Sequence, residues 1–301
     1  MAIRYEEVER CGYTPHALTL IPRKGATNMA EFKTLIDPET GEIHEHTAVL
    51  AAGDRITTAK QRESYAKIQT TGRAPEFTVT NMHNIDEVIE KVSDKNCGYL
   101  LYLQCFVNYD AILENPDKTA MSRADIMRTL KLGRTALHNF LREMTDHDVI
   151  YECGDRYRLN PRYHFQGKTD NLAVVKTFVA KVKELYTEVN AKDLGFVYKL
   201  LRYIHLETNT ICANPYERDV ENTLPLTKED IATVTGVSAK SVYTKLRNLK
   251  FGDQYVFAEV SYGKYRYYKI NPFVFYRKNG KPDATLREMF SIRNNFAKRA
   301  A

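Results

Sequence analysis

The sequence predicts a mixed α and β chain, mainly helical, in which one small unit is built twice behind an N-terminal extension. Three observations predict it. The segment MSRADIMRTLKLGRTALHNFLREM, Met121 to Met144, aligns without a gap on LTKEDIATVTGVSAKSVYTKLRNL, Leu226 to Leu249. The apolar stretch SDKNCGYLLYLQCFV aligns without a gap on NAKDLGFVYKLLRYI, placing Gly98 on Gly195 and Tyr99 on Phe196. After each of the first two segments comes a run, a turn and a second run that ends in Asn-Pro, at Asn160-Pro161 and at Asn271-Pro272. Blocks that recur in one order, with spacing that grows only in loops, are the signature of internal duplication.

A chain of 301 residues fits two or three compact units. The expected division is an extension with a β-hairpin and linker over 1–84, a first repeat over 85–168, a second repeat with a long lead helix over 169–281, and a terminal helix and tail over 282–301. An ordinary hydrophobic share allows sizeable cores. No continuous apolar run of about 18 residues is present, so no membrane span or membrane partner is expected. The start, MAIRYEEVER, lacks the apolar stretch of a signal peptide. Five scattered cysteines without a C-x-x-C favour a reducing cytoplasm over disulfides or a zinc site. The net charge of +6 permits an acidic partner such as nucleic acid without demanding one.

In chain order, FKTLIDPETGEIHEH holds two short alternating runs around Asp37-Pro38-Glu39-Thr40-Gly41 and predicts a β-hairpin. The polar run ITTAKQRESYAKIQTTGRAPEF predicts an exposed helix and a linker at Gly72 to Pro75. Few residues of the extension are able to form a core. NIDEVIEKV has an Asn cap and apolar positions at Ile85, Val88, Ile89 and Val92, so it reads as helix. The stretch from Ser93 reads as a short buried helix. VIYECGDRYRLNPRYHFQGK reads as strand, Gly154-Asp155 turn, strand. NLAVVKTFVAKVKELYTEV reads as one amphipathic helix with Leu172, Val175, Val179, Val182 and Tyr186 inward. That stripe has a/d spacing, so packing within the chain and a homodimer seam are its two readings, the first preferred. A loop, HLETNTICANPYERDVENTLP, leads into the second copy. YVFAEVSYGKYRYYKINPFVFYRKNG reads as a hairpin turning at Tyr262-Gly263, and ATLREMFSIRNNFAKRAA as a terminal helix with a basic tip.

Within the second copy, Thr227 caps a helix whose first turn carries Glu229 and Asp230, residues suited to a helix N-terminus. Gly236-Val237-Ser238 ends that helix in a tight turn, and Ser238 caps the next. Val242, Leu246 and Leu249 then face inward, which leaves Lys240, Ser241, Tyr243, Thr244 and Arg247 outside. In the first copy Leu137, Phe140, Leu141 and Met144 form the inner stripe, and Arg134, Thr135, His138, Asn139 and Arg142 lie outside. A helix-turn-helix needs this division, because the first helix braces a second that presents polar side chains to base edges in the major groove. Arg pairs with guanine and Asn with adenine in bidentate fashion. On the hairpins, Arg156 and Arg158, and Lys264, Arg266 and Lys269, read as contacts to phosphate or minor groove. Between Thr227 and Lys281 there are eleven Lys or Arg against four Asp or Glu; Met121 to Lys168 holds nine against six, so the second copy is the more basic.

This arrangement resembles the winged helix-turn-helix superfamily, its MarR-like branch in particular, and DIATVTGVSAKSVYTKLRNL carries much of the likeness. The span from Met121 to Lys168 is similar to replication and regulatory proteins of Gram-positive plasmids and phages. In those a helix-turn-helix is followed by a short wing and a segment that opens on Asn-Pro and closes on Phe-x-Gly-Lys, here Asn160 to Lys168. IDPETGEI is similar to the same proteins, and the likeness as a whole covers roughly residues 85 to 277. It implies an α+β fold of two tandem winged helix-turn-helix domains and sequence-specific binding to double-stranded DNA. The implied role is replication initiator or transcriptional regulator in a bacterial cytoplasm, with replication or transcription proteins as further partners. Two departures separate the copies: Gly133 stands where the second has Ser238, and Lys245 where the first has Phe140, so the two faces need not read one sequence. The alternative from another class is an interaction module that docks on a host or phage protein with little affinity for DNA.

Nothing in the sequence supports catalysis, and no catalytic residue, cofactor or metal is expected. G-x-x-x-x-G-K-[ST], G-x-S-x-G and H-E-x-x-H are all absent. Pro116-Asp117-Lys118 lacks the Glu-x-Lys partner of a nuclease motif and reads as a loop. His44-Glu45-His46 places two imidazoles at strand alternation, but no third ligand lies nearby, so a hairpin rim is the better reading. Cys97 and Cys105 read as core thiols and Cys153 as an exposed residue beside a turn.

Overall fold

The computed structural model describes residues 75–292, without Lys264 and the side chain of Tyr262. Within residues 1–74 it describes a set of strands and the helical residues Glu63 and Ala66. The protein is of mixed α and β structure and divides into two compact units, 1–74 and 75–301.

In the first unit, β3 (Phe32–Ile36) and β4 (Ile43–Val49) pair antiparallel with Ile36 opposite Ile43. This is the hairpin the alternating runs predict. β1 (Ala2–Ile3) pairs with the end of β4. β2 (Leu18–Ile21) pairs with β5 (Arg55–Thr58), so the polar run read as helix opens as strand. His44 and His46 lie in β4, but their side chains fall outside the described residues.

The second unit repeats one element order. The first copy runs β6 (Phe77–Asn81), α1 (Ile85–Lys91), α2 (Asp94–Leu103), α3 (Arg123–Leu130), α4 (Arg134–Asp146), the hairpin β7 (Ile150–Cys153) and β8 (Arg156–Leu159), and the short β9 (His164–Phe165). The second runs β10 (Val174–Phe178), α5 (Val179–Glu188), α6 (Ala191–Leu200), α7 (Lys228–Thr235), α8 (Ala239–Asn248), short strands β11 (Lys250–Phe251) and β12 (Gln254–Tyr255), the hairpin β13 (Phe257–Tyr262) and β14 (Tyr265–Ile270), and β15 (Phe275–Tyr276). A short helix, α9 (Arg287–Phe290), closes the described chain; the expected basic tip lies outside it.

Two strands depart from the sequence reading. Phe77–Asn81 falls in the extension by sequence but belongs to the second unit as β6. The lead helix read from Asn171 begins only at Val179, because Val174–Phe178 is strand. The β-branched Val174, Val175 and Thr177 are stiff and suit a pleated, buried position, and β6 supplies the backbone partners. Consecutive buried residues here reflect a strand covered on both faces, and Leu172 is exposed at 61% rather than inward. Val175, Val179 and Val182 pack inside the chain, the preferred of their two readings.

The two copies meet about a two-fold axis. The sheet order is β15-β10-β6-β9. β6 and β10 run antiparallel with Phe77 opposite Phe178 and Asn81 opposite Val174, centred on Val79 and Lys176. The shift that carries Gly98 onto Gly195 also carries Phe77 onto Val174 and Phe178 back onto Asn81, so exchanging the copies leaves this register unchanged. The outer bonds obey the same rule: Met82 N–H donates to Ala173 O at 2.9 Å and Val179 N–H to Glu76 O at 3.0 Å. The edges match as well, His164 facing Thr80 and Phe275 facing Thr177.

Below the sheet, α2 and α6 cross at their glycines. A Cβ on Gly98 would collide with the carbonyl of Ala191, and one on Gly195 with the carbonyl of Asp94, the equivalent residue. Only glycine lets two helix backbones approach this closely. The buried seam carries a hydrogen-bonded side-chain set on one side only. Thr80 Oγ1 donates to Gln104 Oε1 at 3.0 Å and lies 3.2 Å from His164 Nδ1, while His164 Nε2 lies 2.8 Å from Tyr198 Oη. With the Thr80 hydroxyl directed at Gln104, the set is satisfied by an imidazole proton on Nδ1 and a Tyr198 hydroxyl donating to Nε2. Burial drives the His164 pKa down to about 3, so the ring is neutral. At the related positions Phe275, Leu201 and Leu101 are apolar, and Thr177, which matches Thr80, is buried with its hydroxyl unpartnered.

Candidate nucleic-acid interface

Each copy presents a helix, a tight turn, a second helix and a hairpin, and equivalent residues build them. Ser122 caps α3 by accepting from Asp125 N at 3.2 Å, and Asp125 accepts from Ser122 N at 2.9 Å. Thr227 and Asp230 repeat this reciprocal box on α7 with the same distances. The Ser122 and Thr227 hydroxyls hold both carboxyls below the usual carboxylate range. At the turn, Lys131 (φ 54°) and Gly236 (φ 69°) take the left-handed conformation. The next amides then reach back across the helix end, Leu132 to Met127 O and Val237 to Ala232 O, as a helix-stopping turn requires.

Side chains cap the last carbonyls of the bracing helices. Tyr186 Oη reaches across from the second copy to Leu130 O at 2.8 Å, and Lys199 Nζ reaches the equivalent Thr235 O at 3.0 Å. Ser238 caps α8 by accepting from Ser241 N at 3.3 Å, while Gly133 leaves α4 without a side-chain cap.

The inner stripes are buried as their spacing predicts: Leu137, Phe140, Leu141 and Met144 on α4, and Val242, Leu246 and Leu249 at α8. The Phe140/Lys245 difference is absorbed locally. Phe140 meets Tyr99 edge-on at 5.8 Å. Lys245 stands 5.8 Å over Phe196, the residue matching Tyr99, and pairs with Asp193.

The outer faces carry the candidate residues. Arg134, Thr135, His138, Asn139 and Arg142 are exposed on α4, and Lys240, Ser241, Tyr243, Thr244 and Arg247 on α8. Sequence reading missed one matched pair, Arg123 and Lys228, the first residues after the caps of α3 and α7. Arg123 Nη2 lies 3.3 Å from His138 Nδ1, and Lys228 Nζ 5.9 Å over the ring of Tyr243, which matches His138. Arg247 packs on the same ring and bonds to its hydroxyl. A basic residue directly behind an N-cap was the available signal, because it projects toward the neighbouring helix.

On the first hairpin Arg156 and Arg158 are exposed and alternate with buried Tyr157 and Leu159. On the second, Arg266 is exposed and pairs with Glu259 at 3.3 Å; Lys264 lies outside the described residues. Lys269 does not share their face. It is an odd number of residues from Arg266, half-buried, and donates to Thr208 O at 3.2 Å. A third strand segment lines each hairpin through the bridges Ile112 to Arg158 and Thr210 to Lys269. β13 and β14 are two residues longer than β7 and β8, and Tyr262, expected in the turn, instead pairs with Tyr265 at the end of the ladder.

Both Asn-Pro ends do one job. Asn160 Oδ1 accepts from Arg162 N at 3.0 Å and Asn271 Oδ1 from Phe273 N at 2.9 Å, turning the chain off each hairpin toward the central sheet. Elsewhere Cys97 and Cys105 are buried, and burial raises both thiols to about 12; Cys153 is exposed. No helix among the described residues is long and apolar enough to cross a membrane. In comparisons with known proteins, no family model, no curated protein and no solved structure matches the chain.

Proposed function

We propose that the two copies are tandem winged helix-turn-helix domains that bind double-stranded DNA sequence-specifically. In this reading α4 and α8 enter the major groove and the hairpins act as wings on the backbone. The chain serves as a replication initiator or transcriptional regulator of a plasmid or phage. One observation carries the reading: two helices, each braced by a helix with a reciprocal capping box and a left-handed turn at its end, expose polar and basic side chains at matched positions, over an apolar inner stripe. Linking both on one chain raises the effective concentration of the second contact once the first has formed. Half-sites one helical turn apart, about 34–36 Å, suit such a pair.

The test is binding to duplex DNA across a salt series. Phosphate neutralisation releases counterions, so affinity falls steeply with salt, and Arg142→Ala and Arg247→Ala each reduce the logarithmic slope by about 1. The pairs Arg134→Ala with Arg142→Ala, and Lys240→Ala with Arg247→Ala, weaken binding without lowering the melting temperature. Negligible or salt-insensitive binding throughout would reject the reading in favour of a protein partner.

A further inference from the structure

Resting on that reading, we infer that the target is a single DNA site made of two unlike half-sites set head to head, read whole by one chain. The relation between the copies is a rotation. The β6/β10 register maps onto itself when the copies are exchanged. So does the glycine crossing, with Ala191 and Asp94 trading places, and so do the edge pairings of β9 and β15. B-DNA has two-fold axes of its own, perpendicular to its length. A two-fold protein body therefore sets its matched helices on opposite strand polarities, which is why palindromic operators accompany symmetric dimers. A direct repeat needs a translation between the copies, and the antiparallel register provides none.

The halves cannot be identical, because the matched outer residues differ. Thr135 stands where the second copy has Lys240, His138 where it has Tyr243, and Asn139 where it has Thr244. Arg142 and Arg247 occupy the same position in both. The half-sites accordingly share the feature these arginines contact and diverge elsewhere. The longer second hairpin adds two residues per strand, a reach of about 7 Å, or roughly two base pairs of extra protection outside the second half-site.

Duplexes selected from a random pool by the full chain supply the test. The selected site is rebuilt with one half reversed into a direct repeat, and with each half mirrored into a perfect palindrome. The half whose contribution disappears with Asn139→Ala is the first. Reversal is expected to cost at least tenfold in affinity, and each palindrome to bind several-fold more weakly than the selected duplex. The triple variant Lys240→Thr, Tyr243→His, Thr244→Asn changes only exposed side chains and gives the second face the first face's residues at these three positions, Ala239 still standing where the first has Arg134. It should move preference about tenfold toward the palindrome of the first half, with an unchanged thermal melt. A direct repeat bound as tightly as the selected duplex, or a selected consensus with only one half, overturns the inference and leaves the DNA reading standing. Loss of salt-dependent binding to every duplex overturns both.

Discussion

Single residues explain how two different sequences make the same turn. Gly236 takes the left-handed conformation at little steric cost, whereas Lys131 bears a strain of about 1–2 kcal/mol there. Glycine also loses more chain entropy on folding, which offsets part of that. Lys131→Gly is therefore expected to stabilise by roughly 0.5–1 kcal/mol, read as a raised urea midpoint at constant slope. His164 gives the pH prediction. Its folded pKa, about 3, lies below that of an unfolded histidine, near 6.5, so the unfolded chain takes up the proton first. The stability this neutral ring allows is whole above pH 6.5 and declines as pH falls toward 3. Between pH 6.5 and 4.5 the loss should be roughly 2 kcal/mol, and urea titrations in that window check it. His164→Phe, copying Phe275, should flatten the slope there.

At the scale of elements, the crossing of α2 and α6 is the least forgiving contact. Gly98→Ala sets a methyl group against a backbone carbonyl that no rotamer change can move aside. A loss of about 3 kcal/mol or more in unfolding free energy is expected, since overpacking against side chains alone already costs 1–3 kcal/mol. This crossing also shows where the sequence was legible. The gapless match of Gly98 on Gly195 was visible, and so were the Thr227 and Ser238 caps, inner stripes, hairpins and Asn-Pro turns, because each is fixed by chemistry within a few residues; the Asn84 cap fails, since that side chain donates instead to the distant Arg162 O. The partner strands β6 and β10 were missed. Five-residue strands have too little periodicity to outvote a helical spacing such as Val175, Val179 and Val182, and their stability comes from pairing about a hundred positions away. Arg123 and Lys228 were missed for a related reason: their place beside His138 and Tyr243 is set by how two helices cross. Lys269 was misread through strand parity.

For the whole molecule, the repeats are not separable beads. The central sheet draws on both, Tyr186 of the second caps a helix of the first, and Arg202 of the second pairs with Asp86 of the first at 2.7 Å. A fragment ending at residue 168 would lose the partner of β6 and bare the floor of α2. It is expected to self-associate or to melt well below the intact chain, as sedimentation and calorimetry would report. The shared seam has one more consequence. A reader assembled from two loose subunits falls apart on dilution, so its occupancy depends steeply on how much protein is present. Here the covalent link and common interior make the two halves inseparable at any titre, so under the proposed DNA reading filling a site should follow a simple hyperbola down to the lowest copy number.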